Sequence, residues 1–149
     1  MSFPRSSKQI CAGGVKIGGG APITVQSMLN TPAEETEKSV EQAKRLEAAG
    51  CELIRAAIPN MESVKLIAAL KEAVSVPIVA DIHFDYRLAL EAVAAGVDKV
   101  RINPGNIGDE DRVRQVVQTC KQHNVPIRVG VNSGSLENGG QRVVPCFFD

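Results

Sequence analysis

Tryptophan is absent from this 149-residue chain, and aromatic residues make up only 3% of it. A core must therefore be assembled from Val, Ile, Leu and Ala rather than from large rings. Excess charge is missing too, since 17 basic residues balance 17 acidic ones. A protein that coats nucleic acid usually carries a basic surplus, so that class is set aside, while one local cationic pocket stays open. No run of 18 apolar residues occurs, which removes a membrane-spanning helix from the expectations. Arg5 and Lys8 are followed by a glycine-rich stretch where a signal peptide would have its apolar centre, so none is expected. No CxxC pair exists among Cys11, Cys51, Cys120 and Cys146, and no metal or redox motif is expected. Cys51 and Cys120 read as small core residues. A reducing cytoplasm is the simplest setting for them.

What is present is a phase pattern. Five strand-like runs contain Gln26, Arg55, Asp81 with His83, Arg101 with Asn103, and Arg128 with Asn132. Residues i and i+2 share one face of a strand, so Asp81 lies with His83, Arg101 with Asn103, and Arg128 with Asn132. The opposite parity is apolar: Ile54 and Ala56; Ile78, Ala80 and Ile82; Val100 and Ile102; Ile127, Val129 and Val131. If the strands lie side by side, three arginines converge. Buried charge needs compensation, either from acidic partners or from an anionic ligand.

Helical patterns separate the runs. A glycine-rich lead-in around Val15-Lys16-Ile17 suggests a short hairpin or plug. Strands are expected over 23–28, 52–57, 78–82, 99–103 and 126–131. Thr31, Pro32 and Glu34 form a helix start of capping-box type, with Val40, Ala43 and Leu46 on one stripe and Gly50 as the stop. Asn60 is expected to cap a helix whose stripe includes Val64, Ile67 and Ala68. Two more helices follow, over about 85–95 and 109–123, the latter with Val113, Val116, Val117 and Cys120 at helical spacing. The β-α alternation implies parallel strands with right-handed crossovers. No GxGxxG turn follows the first strand, so a dinucleotide-binding open sheet lacks support. Polar side chains at strand C-termini fit a barrel mouth, whereas an open sheet wants both faces apolar. The expected fold is α/β, a partial TIM-type (β/α) barrel with about five parallel strands and four helices. A closed barrel takes eight strands and typically ~250 residues, so this one reads as cut open.

The arginines Arg55, Arg101 and Arg128 are candidate anion ligands, because guanidinium forks bind phosphate bidentately and stay charged. Three of them suit a ligand with two phosphates. Their ordinary alternative is pairing with carboxylates. Asp81 either balances the arginines, orients His83 or binds a hydroxyl, and His83 either donates to phosphate or serves as an acid. A purely structural pair is the plain alternative. The loop Asn103-Pro104-Gly105-Asn106-Ile107-Gly108 offers backbone N–H groups or is simply a Pro-Gly turn. Gln26 and Ser27 are further candidates at the end of the first strand. His123 reads as a solvated helix-end residue.

The strings Val25-Gln26-Ser27-Met28, Ala80-Asp81-Ile82-His83-Phe84-Asp85-Tyr86, Arg101-Ile102-Asn103-Pro104-Gly105-Asn106-Ile107-Gly108 and Arg128-Val129-Gly130-Val131-Asn132-Ser133-Gly134-Ser135-Leu136-Glu137 resemble the TIM-barrel domain of the 4-hydroxy-3-methylbut-2-enyl-diphosphate synthase family. The resemblance covers roughly 8–137. It implies a reductive ring opening of 2-C-methyl-D-erythritol 2,4-cyclodiphosphate in non-mevalonate isoprenoid synthesis. By matching motifs it implies substrate binding by Arg55, Asp81, His83, Arg101, Asn103, Arg128 and Asn132. It further implies a 4Fe-4S cluster in a separate C-terminal domain, flavodoxin or ferredoxin as electron donor, and a homodimer. The sequence departs from that pattern. Neither the cluster ligands nor the last three barrel strands are found, and Leu29 stands where a threonine is common. The expected division is a lead-in over 1–22, a substrate-binding part-barrel over 23–137 and a non-family tail over 138–149. Such a chain is expected to be inactive alone. The alternatives are a non-catalytic half-barrel that binds phosphate esters or pairs with another polypeptide, and a different phosphate-binding barrel such as a pterin-pathway synthase.

Overall fold

A computed structural model of the chain describes residues 5–131. Asn132, Cys146 and the 138–149 segment lie outside the described residues. A hairpin comes first: β1 (Ile10–Ala12) and β2 (Val15–Ile17) pair antiparallel, with Ala12 opposite Val15. Gly13 and Gly14 make the turn, with φ of 53° and 91°. A two-residue hairpin turn needs that left-handed backbone, which glycine adopts without a Cβ clash.

The main sheet has β3 (Gln26–Met28), β4 (Leu53–Ile58), β5 (Ile78–Ile82), β6 (Lys99–Ile102) and β7 (Ile127–Val129), all parallel and in chain order. Between them run α1 (Thr36–Ala48), α2 (Val64–Ala73), α3 (Tyr86–Ala94), the short α4 (Pro104–Ile107) and α5 (Glu110–Gln122). The strand order decides between the two expected architectures. A doubly wound sheet reverses direction at a switch point, and here no reversal occurs. Successive crossovers of one hand carry the sheet steadily round. The fold is thus a partial TIM-type barrel, which among the described residues does not close: β3 and β7 are its edges.

Three local expectations are corrected. α1 starts at Thr36 rather than just after Thr31. The Thr31 hydroxyl donates to Gln42 Oε1 (2.9 Å), as do the backbone N–H groups of Asn30 and Thr31, so Thr31 is tied to the side of α1 rather than placed at its start. α2 keeps Ile67 and Val64 against the core as expected, but buries Leu66 and Leu70 and leaves Ala68 exposed. Two leucines remove far more apolar area from water than one alanine, so they set the helix rotation. Among the described residues there are five helices rather than four, because 104–107 close a helical turn of their own. Its start is held by Asn103, whose Oδ1 accepts from Gly105 N at 3.1 Å.

Other local signals hold. Asn60 Oδ1 accepts from Ser63 N (2.9 Å) just ahead of α2. Asp85 and Asp109 cap α3 and α5, accepting from Arg87 N and Arg112 N. Gly50 sits at φ 94° beyond α1, where Cys51 N reaches back to Leu46 O.

The convex side of the sheet carries the main core. Ile54, Ala56, Ile58, Ile78, Ala80, Ile82, Val100 and Ile102 meet Leu66, Leu70, Leu88, Val113, Val116 and Cys120 of the helices. Leu29 is buried in this same cluster, where an apolar side chain is well placed. The apolar parity fails at the last strand, since Val129 and Val131 are exposed; among the described residues no helix follows β7 to cover them. On the concave side, Ala12, Leu53 and Val79 form a small second cluster with Val15 and Ile17 against it. The hairpin thus plugs the floor of the part-barrel. Among the described residues no helix is long and apolar enough to cross a membrane.

Candidate functional site

Register fixes which side chains share the concave face. Met28, Arg55, Val79 and Lys99 form one row across β3 to β6, and Ala57, Asp81, Arg101 and Arg128 form the next across β4 to β7. His83, Asn103 and Gly130 follow two residues further along their strands. The change from apolar to charged is abrupt: Leu53 gives way to Arg55 and Val79 to Asp81, each within one step of the alternation.

Asp81 is the centre of the mouth, with its side chain only 3% exposed. Its Oδ2 accepts from Arg55 Nη2 at 2.7 Å and its Oδ1 from Arg101 Nη1 at 3.2 Å. His83 Nε2 lies 3.4 Å from Oδ2. A buried carboxylate is tolerable when paired in this way, and such charge-assisted bonds are stronger than neutral ones. The carboxylate alternative raised by the sequence is therefore real, yet it covers only part of the charge. Arg55, Lys99, Arg101 and Arg128 face one carboxylate among the described inward residues. Arg128 stands next to Arg101 in register and is exposed. Neighbouring strands lie ~4.8 Å apart, so the two like charges repel unless an anion sits between them. Arg55 Nε–H is buried with no acceptor, a further sign of a mouth poor in negative charge.

Gly130 shapes the site by lacking a side chain. A Cβ there would lie 2.9 Å from Arg101 Nε and 3.0 Å from Nη2. The guanidinium leans over that glycine while Asp81 holds its other edge. On the rim, Phe84 is 70% exposed and meets the His83 ring edge-on, with centroids 6.3 Å apart. Outside the mouth a cleft of about 410 Å³ is lined by Phe84, Asp85, Tyr86, Arg87, Ile107 and Arg112. The Arg87 side chain there holds the Asp85 carboxyl below its ordinary range.

Of the residues marked from sequence, the structure brings Arg55, Asp81, His83, Arg101 and Arg128 together. Asn103 is buried beside them and spends Oδ1 on the α4 turn. Gln26 shares the concave face but lies level with Leu53, on the floor. Ser27 alternates to the opposite face. Asn132 lies outside the described residues. Lys99 was missed: it is 7% exposed and shares its face with Arg101 and Asn103. The same i, i+2 parity that found Arg101 would have found it. The described cysteines do not gather. Cys11 is exposed on β1, Cys51 is buried ahead of β4, and burial on α5 pushes the Cys120 thiol up to about 11. Among the described residues no group of three or more His, Cys, Asp or Glu could hold a metal ion.

Fold and site together define a cation-lined (β/α) part-barrel. A family model, the GcpE TIM-barrel domain, matches residues 7–143, and the chain belongs to that family. Its curated relatives include the 4-hydroxy-3-methylbut-2-en-1-yl diphosphate synthase (flavodoxin) of Caldicellulosiruptor saccharolyticus, 57% identical over 130 residues, which are 87% of this chain and 38% of that protein. The protein of the same name from Caldanaerobacter subterraneus subsp. tengcongensis is 52% identical over 137 residues, 92% of this chain and 39% of its own length. The chain thus spans well under half of the relatives it matches. Among solved structures, the dihydropteroate synthase of Yersinia pestis superposes with a TM-score of 0.65 at 17% identity, covering 86% of this chain and 48% of that one. That of Xanthomonas albilineans does so with 0.61 at 19%, covering 81% and 48%. At such identity the likeness concerns the fold alone.

Proposed function

We propose that the concave mouth binds the diphosphate of 2-C-methyl-D-erythritol 2,4-cyclodiphosphate, and that the chain supplies part of the substrate site of a reductive ring opening in isoprenoid synthesis. The observation that carries this reading is the unbalanced mouth, in which one buried Asp81 orients Arg55 and Arg101 while Arg128 stands beside them without a carboxylate among the described residues. Asp81 prepositions the two guanidiniums, so the ligand meets donors already aimed. Arg55, Asp81, His83, Arg101, Asn103, Arg128 and Asn132 are the proposed binding residues. Gln26 and Ser27 have weaker support, one lying at the floor and the other on the far face.

The reaction takes up two electrons and loses water. A 4Fe-4S cluster would supply that redox chemistry, with flavodoxin, part of the name the relatives carry, or ferredoxin as donor. The described cysteines do not fit such a cluster, being separated and mostly buried. The proposed division of labour therefore leaves to this part-barrel only binding and orientation, with the cluster on a separate domain and the pair of subunits as the working unit. Free thiols at Cys11, Cys51 and Cys120 accord with the cytoplasm as its place.

Calorimetric titration of the chain with the cyclodiphosphate tests the reading. Saturable binding that is lost in Arg101→Met is expected; equal heats for both chains would refute it. A second reading, a non-catalytic half-barrel that pairs with another polypeptide, draws on Val25, Met28, Val129 and Val131, apolar and exposed at the two sheet edges. Association that rises with concentration, without cyclodiphosphate binding, would favour it.

A further inference from the structure

Lys99 is the buried inward cation that, among the described residues, no anionic partner explains. It is 93% buried by its 7% exposure, at the end of the row Met28, Arg55, Val79 and Lys99, and among the described residues it makes no ion pair or hydrogen bond. Lysine is almost never buried unless paired. A methionine would fill the same volume without the desolvation cost, so packing does not account for a lysine here. Burial, and then the Arg128 and Arg55 guanidiniums, push its ammonium below the ordinary lysine range. The nearest carboxylate on this face, Asp81, already serves Arg55, Arg101 and His83. Lys99 therefore lies one inward step deeper than Arg101 on the same strand, ~6.6 Å along it. That offset suits a ligand with two linked phosphoryl groups rather than one.

We propose that Lys99 is the floor of the anion site and takes the second phosphoryl group of a diphosphate whose first group lies between Arg101 and Arg128. The inference rests on the reading of the mouth as an anion site and adds to it the residue that tells a diphosphate from a monophosphate. The plug hairpin below packs Ala12, Val15 and Ile17 against Leu53 and Val79, the latter in the same row as Lys99.

The test uses the full 149-residue chain and its Lys99→Met variant, titrated calorimetrically with inorganic pyrophosphate and with orthophosphate. Pyrophosphate affinity is expected to fall about tenfold in the variant, with orthophosphate affinity within about twofold. The thermal midpoint of the variant is expected to rise, because an uncompensated buried cation has been removed. Wild-type binding of pyrophosphate with no loss in the variant would overturn the role of Lys99 and leave the mouth intact. No pyrophosphate binding by the wild type would overturn both. A variant that is less stable than the wild type would show that the ammonium is compensated in the fold, and would also overturn the proposal.

Discussion

The floor and the mouth of the part-barrel are built by the same strands and differ in almost everything else. At the floor, Leu53 and Val79 close against Ala12, Val15 and Ile17 of the hairpin, and nothing charged intervenes. One alternation step higher, Arg55 and Asp81 take over. The floor lowers the free energy of folding by removing apolar area from water. The mouth raises it, since arginines crowd around a single carboxylate and Arg55 Nε–H is left without an acceptor. Stability and binding are thus separated along the strand direction. Lys99 blurs the separation, being a buried cation in the row of Val79 and Arg55.

The largest effect is expected from breaking the floor. Leu53→Ala removes a side chain that is 1% exposed and should cost about 3 kcal/mol of unfolding free energy in urea. Pyrophosphate affinity of the folded chain should not change; a parallel loss of affinity would mean that floor and mouth are one unit. Next comes the mouth's own keystone. Asp81→Asn leaves Arg55 and Arg101 facing each other and should destabilise by about 2 kcal/mol, the arginines being partly exposed. Added pyrophosphate should restore more of the thermal midpoint in this variant than in the wild type, and equal shifts would argue against an anion site. Arg128→Met reverses the pattern seen at the floor: about tenfold weaker pyrophosphate binding, with an unfolding midpoint within experimental scatter of the wild type.

The smallest effect lies below both regions. Glu47, at the end of α1, accepts hydrogen bonds from Ser75 N (2.7 Å), Ser75 Oγ (3.0 Å) and Val76 N (3.1 Å) and so ties α1 to the loop entering β5. These bonds, the Ser75 backbone N–H first, hold its carboxyl below the ordinary value of 4.5. A lowered folded value means that the unfolded chain binds the proton more readily. The contribution is therefore complete above about pH 4.5 and is lost as pH falls through the folded value. Glu47→Gln should flatten that acid limb of the stability profile slightly and leave anion binding unchanged. An unaltered acid limb would show that the tie contributes nothing.

Much of this was legible beforehand because strands and helices have fixed periods. Alternation at Asp81 and His83, and at Arg101 and Asn103, marks the concave face from sequence. Asp85, Asp109 and Gly50 marked helix ends through local hydrogen bonding and backbone preference, which need no tertiary partner. The signals that failed were those with competing partners. Thr31 had a capping side chain, but Gln42, well inside α1, holds it against the side of the helix away from the first turn. Ala68 fitted the periodic stripe, but Leu66 and Leu70 won the rotation of α2. Lys99 had the right parity and was passed over, because a lysine near a strand start is ordinarily read as exposed.

The sequence by itself determined the β-α alternation, the two strand faces and the convergence of arginines on one of them, since each follows from repeat periods along the chain. Tertiary structure alone decided the unreversed strand order that makes a part-barrel, the sharing of Asp81 between Arg55 and Arg101, and the burial of Lys99 above the hairpin plug. Those depend on how distant segments register against one another, and neighbouring strands contribute that information only when they meet.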